Sequence, residues 1–195
     1  MKKSASDNQP PAVESTFRRP DPYDFNGTMR FLRLGGNDPC FLRLPGEVIT
    51  SVDSPDGPAV LRLVDGEMLL AQAWGPGAER AIAQAAGWLG LNDQPESLGH
   101  LHPVVAQLEK HNPGLRLPDT GDVFQGLLRT IPQQLVAWAE AAAAWGHMAR
   151  ALGRVAPAPG DRIQRDPALS SRRGGGAESS GVVNTRTTRA IPLKA

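Results

Sequence analysis

Cysteine is nearly absent from this 195-residue chain: Cys40 stands alone, so no internal disulfide can form. Aromatic residues make up only 5% of the sequence. No apolar run approaches the roughly 18 residues that a membrane-spanning helix requires, because Glu140 interrupts the most apolar stretch, Leu135 to Trp145. The opening Met1-Lys2-Lys3 leads into polar residues rather than into the apolar core of a signal peptide, and a soluble, cytoplasmic protein is the expectation. A phosphate-cradling loop ending in Gly-Lys-Ser/Thr is also missing, and Gly75-x-Gly77-x-x-Arg80 lacks the third glycine of the dinucleotide fingerprint. Nucleotide binding thus has no support in the sequence.

What is present divides unevenly. The net charge is +1, but up to Gly153 there are 13 Lys and Arg against 17 Asp and Glu, and beyond it 8 against 3. An acidic front of charge −4 is followed by a basic tail of charge +5. Hydrophobic residues form 40% of the chain, enough to bury a core.

Residues 1–20 are polar and aperiodic and are expected to be a disordered leader, with order beginning near Tyr23. From there to Ala73 the runs Thr28–Leu34, Cys40–Leu44, Val48–Val52, Ala59–Val64 and Glu67–Ala73 have β character. Asp65-Gly66 predicts a two-residue type I′ hairpin joining the last two, and Pro55-Asp56-Gly57-Pro58 predicts another turn. After Gly75-Pro76 the period changes. Ala78, Ile82, Ala85 and Leu89 mark one face of a helix that ends near Gly90. A shorter helix starts at Pro103 with Val104, Val105 and Leu108 inward, and another is capped by Asp122 with Gln125 three residues on. Leu135, Trp138, Ala142, Trp145, Ala149 and Leu152 then form the stripe of a long helix from Gln133 to Leu152. That stripe calls for a partner larger than the short helices before it. After Gly160 periodicity is lost, and residues 161–195 are expected to be a disordered basic tail.

No complete catalytic constellation is found. His100 and His102 lack further ligands at metal-binding spacing, and His147 lies among alanines, so neither a metal site nor a nucleophilic triad is expected. Leu44-Pro45-Gly46-Glu47-Val48 is similar to the Leu-Pro-Gly-x-Gly turn that approaches DNA phosphates, but it lacks the second glycine and lies between strands, as an ordinary β-turn would. Arg172, Arg173 and the later arginines can serve as phosphate contacts or as a solvated tail.

Several segments in order carry a resemblance: Asp38-Pro39-Cys40-Phe41, Gly57-Pro58-Ala59, Ala73-Trp74-Gly75-Pro76-Gly77-Ala78, His102-Pro103-Val104-Val105, Gly114-Leu115-Arg116-Leu117-Pro118 and Val123-Phe124, leading into Leu128-Arg129-Thr130-Ile131-Pro132-Gln133-Gln134-Leu135-Val136. From about Tyr23 to Gly160 the chain resembles the N-terminal part of alkylbase DNA glycosylases, the 3-methyladenine DNA glycosylase II type of the helix-hairpin-helix superfamily. The resemblance implies an α+β architecture. Residues 21–98 would form an antiparallel sheet domain with helices, and 99–160 the first part of a helical glycosylase domain.

It also implies base-excision repair of alkylation damage on double-stranded DNA, by flipping a base and hydrolysing its N-glycosyl bond, with no cofactor. Gln134 and Leu135 would be the DNA-binding residues, with Leu135 filling the gap left by the flipped base; Leu135 is equally an apolar residue of the helix stripe. Pro132 departs from the family pattern, so the helix should begin or kink there. The family's hairpin and catalytic aspartate should follow Gly160, where Asp161 and Asp166 stand in the wrong context, and no catalytic residue is assigned. The expectation is a truncated or frame-disrupted glycosylase that is catalytically incomplete. The alternative is a non-catalytic DNA-binding or interaction module.

Overall fold

The computed structural model describes residues 13–36, 38–95, 102–157 and 189–190. Its architecture is α+β. Strands β1 (Val13–Arg18), β2 (Phe41–Leu44), β3 (Glu47–Val52), β4 (Ala59–Val64) and β5 (Met68–Trp74) form one antiparallel sheet in the order β1-β5-β4-β3-β2. Strand β1 therefore lies within the segment expected to be a leader. The residues Val13 to Arg18 alternate between half-buried and exposed and pair with Ala73 to Met68 of β5, the pattern of a strand on a sheet edge.

Helix α1 (Phe25–Arg30) replaces the strand expected at Thr28–Leu34. Asp24 caps it, its side chain accepting a 2.8 Å hydrogen bond from the Gly27 amide, and Phe25, Thr28 and Met29 face inward at spacings of three and four. Helix α2 (Ala78–Trp88) lies on the sheet against β1, β4 and β5. It buries Ala78, Ala81, Ala85, Trp88 and the adjoining Leu89, and small side chains let it approach closely. One core thus joins Phe25, Met29, Leu61, Leu63, Leu69 and α2. On the other side of the sheet Ile49, Val60 and Trp74 pack with Ala156.

The turns divide. Leu44 pairs with Glu47, so Pro45-Gly46 is the two-residue turn expected between strands; proline at its first central position and Gly46 at φ +65° give the type II pattern. Asp65-Gly66 is not a type I′ turn. Gly66 does not adopt positive φ, and three residues separate β4 from β5. Asp65 is held instead by Gly46, whose carbonyl accepts from the Asp65 amide at 2.9 Å, and by Arg19 through a 2.9 Å ion pair.

Helices α3 (Pro103–His111), α4 (Val123–Leu135) and α5 (Trp138–Leu152) follow. The segment between α3 and α4 folds back over the first half. The Asp24 amide donates to Gly114 at 2.8 Å, the Arg116 amide to Thr28 Oγ1 at 3.2 Å and the Asp119 amide to Gly87 at 2.8 Å. Gly114 has φ +77°, and a Cβ there would meet the Tyr23 nitrogen at 2.5 Å, so only glycine fits. Strand β6 (Arg154–Val155) pairs with β7 (Arg189–Ala190). Two residues of the expected structureless tail are therefore paired; the others lie outside the described residues.

Candidate nucleic-acid interface

The long helix expected from Gln133 to Leu152 is two helices. Pro132 neither begins nor breaks one: it sits in the last turn of α4, where its missing N–H forfeits one helical bond while its carbonyl still accepts from the Val136 amide at 3.1 Å. The break comes at Val136 and Ala137, both extended, before α5 starts with Glu140 and Ala141 donating back to the Ala137 carbonyl at 2.9 and 3.0 Å. Gln134 and Leu135 therefore lie at a corner between helices. Every residue from Gln133 to Glu140 is exposed, and Leu135 is 78% exposed. This stretch contains no Lys or Arg and one acid, Glu140.

The α5 stripe is rotated from the sequence expectation. Ala141, Trp145 and Ala149 are buried, while Trp138 and Leu152 face out. Trp145 is fully buried beside Leu34 and Cys40, and its Nε1 donates to Asp38 Oδ1 at 2.9 Å. Asp38 collects three further donors: the Cys40 amide at 3.0 Å on the same oxygen, and the Leu34 amide at 3.0 Å and Arg129 Nη2 at 2.9 Å on the other. Arg129 also donates to the Leu32 carbonyl and lies over the Trp145 ring, 4.6 Å from its centroid. One buried carboxylate so ties α4 and α5 to the loop before β2. Sequence reasoning assigned Asp38 no role, yet the Asp-Pro-Cys run carried a signal, since an aspartate accepting from the amide two residues on is an Asx-turn.

The remaining candidates have structural roles or lie apart. His102 caps α3, Nδ1 accepting from the Val104 amide at 3.2 Å with Pro103 at the first helical position. His100, Arg172 and Arg173 lie outside the described residues. His147 is exposed on α5, and among the described residues no three His, Cys, Asp or Glu side chains gather as a metal would need. Burial, reinforced by the charge of Asp38, pushes the Cys40 thiol up to about 12, which removes it as a nucleophile.

Clefts among the described residues include two that border the helices. One of about 810 Å³ is bounded by α3 and the 112–117 segment, and one of about 390 Å³ by Arg80, Gln84 and Trp88 of α2 and the start of α4. Neither is lined by a His, Ser or Cys that could serve as a nucleophile with its base. Asp53, at the smaller cleft, is buried and paired with Arg154. Among the described residues no helix is long and apolar enough to cross a membrane.

No protein-family model and no curated protein matches this sequence. Among solved structures, the 3-methyladenine DNA-glycosylase from Archaeoglobus fulgidus is similar, with a TM-score of 0.59 and 15% sequence identity over 76% of this chain and 53% of that one. The fold is thus shared, and this chain spans about half the length of that protein.

Proposed function

We propose that this chain is a DNA-engaging portion of a 3-methyladenine-type DNA glycosylase, acting in base-excision repair of alkylated duplexes and unable to excise a base by itself. The observation that carries the reading is the exposed Leu135, set beside Gln134 at the α4–α5 corner of a fold similar to that of a 3-methyladenine DNA-glycosylase. An apolar side chain at an exposed corner can enter a base stack and hold open the gap left by a displaced base. A leucine serving only the helix core would be covered, and this one is not.

Catalysis needs an aspartate free to face a cationic sugar. Asp38 is saturated by four protein donors and Asp53 is paired with Arg154, so neither is free for that task. The corner itself offers no cation, so phosphate contacts fall to the basic stretch after Gly153.

Fluorescence anisotropy with a duplex containing an abasic site tests the binding claim. Affinity should fall steeply with salt and should drop on Leu135→Ala, by about 1–2 kcal/mol, while a Gln133→Ala control changes little. Undetectable binding at low salt would overturn the reading. An excision assay on alkylated duplex tests the second claim: no released base is expected, and turnover dependent on this chain would show that it is catalytically complete.

A further inference from the structure

The cleft of about 390 Å³ between α2 and the start of α4 has the size of a small-ligand site, and its wall is short of acceptors. Trp88 is 8% exposed, and its Nε1 is buried with no hydrogen-bond partner. Arg129 Nε, on α4, is also buried without one. A buried N–H that meets no acceptor is destabilising, so few remain in a folded chain unless something else satisfies them. Two such groups on residues that line one cleft point to a ligand that brings acceptors with it.

Charge narrows the class. Four charged residues line the cleft, and three are matched: Asp53 by Arg154, Arg129 by Asp38, and Asp122 by the Gln125 amide that it caps at 2.9 Å. Arg80 is exposed and has no ion pair among the described residues, so the wall keeps one uncompensated positive charge. The start of α4 adds to it. The first intrahelical bond runs from the Gly126 amide to the Asp122 carbonyl at 3.1 Å, which leaves the Val123 and Phe124 amides ahead of it without a helical acceptor, at the positive end of the helix dipole. On α2 the side-chain amide of Gln84 supplies a further donor.

We infer that this cleft binds a small organic monoanion, a carboxylate with an apolar body. Its oxygens meet Arg80, Gln84 and the α4 amides, and its body lies against the apolar side of the cleft, formed by Val52, Val123 and Phe124. Asp122 sets the limit of one charge, because a carboxylate at the helix start repels a second negative group. A phosphate on the outside of a duplex does not suit the cleft, since the orphan donors are buried and only a ligand that enters can meet them.

Benzoate is the probe, and proton–nitrogen correlation spectra of the isotope-labelled full chain read its binding at the Trp88 indole N–H itself. Titration should shift that resonance and the Val123 and Phe124 amides saturably, with a Kd of about 1 mM or below, while the exposed Trp138 indole stays in place. Arg80→Gln, a change at an exposed side chain, should weaken binding about tenfold with the rest of the spectrum unchanged, and Arg80→Lys should keep most of the affinity. Benzyl alcohol, which has the ring without the charge, should not bind at such concentrations. No saturable shift at about 10 mM benzoate, equal affinity in Arg80→Gln, or equal binding of benzyl alcohol would overturn the inference. The test contains no DNA, so its outcome is independent of the binding proposal.

Discussion

A single carboxylate links more of this molecule than any other side chain described above. Asp38 accepts from two backbone amides, an indole and a guanidinium, and no water replaces those donors once they are buried. Asp38→Ala would leave Arg129 and the Trp145 N–H without their partner, at a cost of about 3–5 kcal/mol, to be read from urea unfolding followed by tryptophan fluorescence. Cys40, next to it, sets a pH limit. Burial raises its thiol to about 12 and also raises the Tyr23 phenol, whose hydroxyl donates to the Leu89 carbonyl at 2.7 Å. Above the ordinary thiol value of about 8.5 the unfolded chain releases a proton that the folded chain keeps, so stability is complete below that pH and falls as pH rises toward 12, by up to about 1.4 kcal/mol per pH unit for each group. Equilibrium unfolding between pH 8 and 11 should show the decline, and Cys40→Ala should reduce its slope.

At the scale of elements, local chemistry was legible where the chain settles its own conformation. The Asp122 cap, proline at the start of α3, the end of α2 near Gly90 and the Pro45-Gly46 turn all follow from side chains acting within a few residues. Asp122 accepts from the Gln125 amide at 2.9 Å as its spacing to Gln125 implied, and Asp122→Ala should cost about 1 kcal/mol in thermal unfolding. Misreadings cluster where two periods compete. Thr28 to Leu34 alternates well enough for a strand, but the Asp24 cap and the inward set Phe25, Thr28 and Met29 make the helix the better solution. Pro132 was expected to decide where a helix begins, yet the extended backbone at Val136 sets the break. Pro132→Ala restores a donor to the last turn and should stabilise the chain by about 1 kcal/mol or more in the same assay.

For the whole molecule, the α+β architecture was readable from the succession of β-rich runs and then helical periods. The edge strand β1 was not, because six residues with one phenylalanine and two charges gain order only from a partner strand far along the chain, Val13 pairing with Ala73 and Arg18 with Met68. The proposed site was legible in part. Gln134 and Leu135 were proposed from the resemblance alone, and their exposure at a corner comes from the break that follows them, which lies in backbone angles at Val136 and Ala137. Trp138 and Trp145 looked equivalent, and the contacts of Trp145 with Asp38, Leu34 and Cys40 separate the buried ring from the exposed one. If the basic stretch supplies the phosphate contacts, removing residues 161–195 should flatten the salt dependence of duplex binding and weaken it; anisotropy of the shortened chain, with circular dichroism as a check on folding, would measure this.

The pairing of β1 with β5 has a consequence for how the chain comes into being. On a ribosome the residues of β1 emerge first, but the strand they join is completed only at Trp74. Until then Val13 to Arg18 have no ladder to enter, and the three-stranded meander β2-β3-β4 must form with one flank open. The first strand of the sheet to be synthesised is therefore the last to take its place in it, and a pause in translation before Trp74 would leave β4 exposed to pairing with another nascent chain.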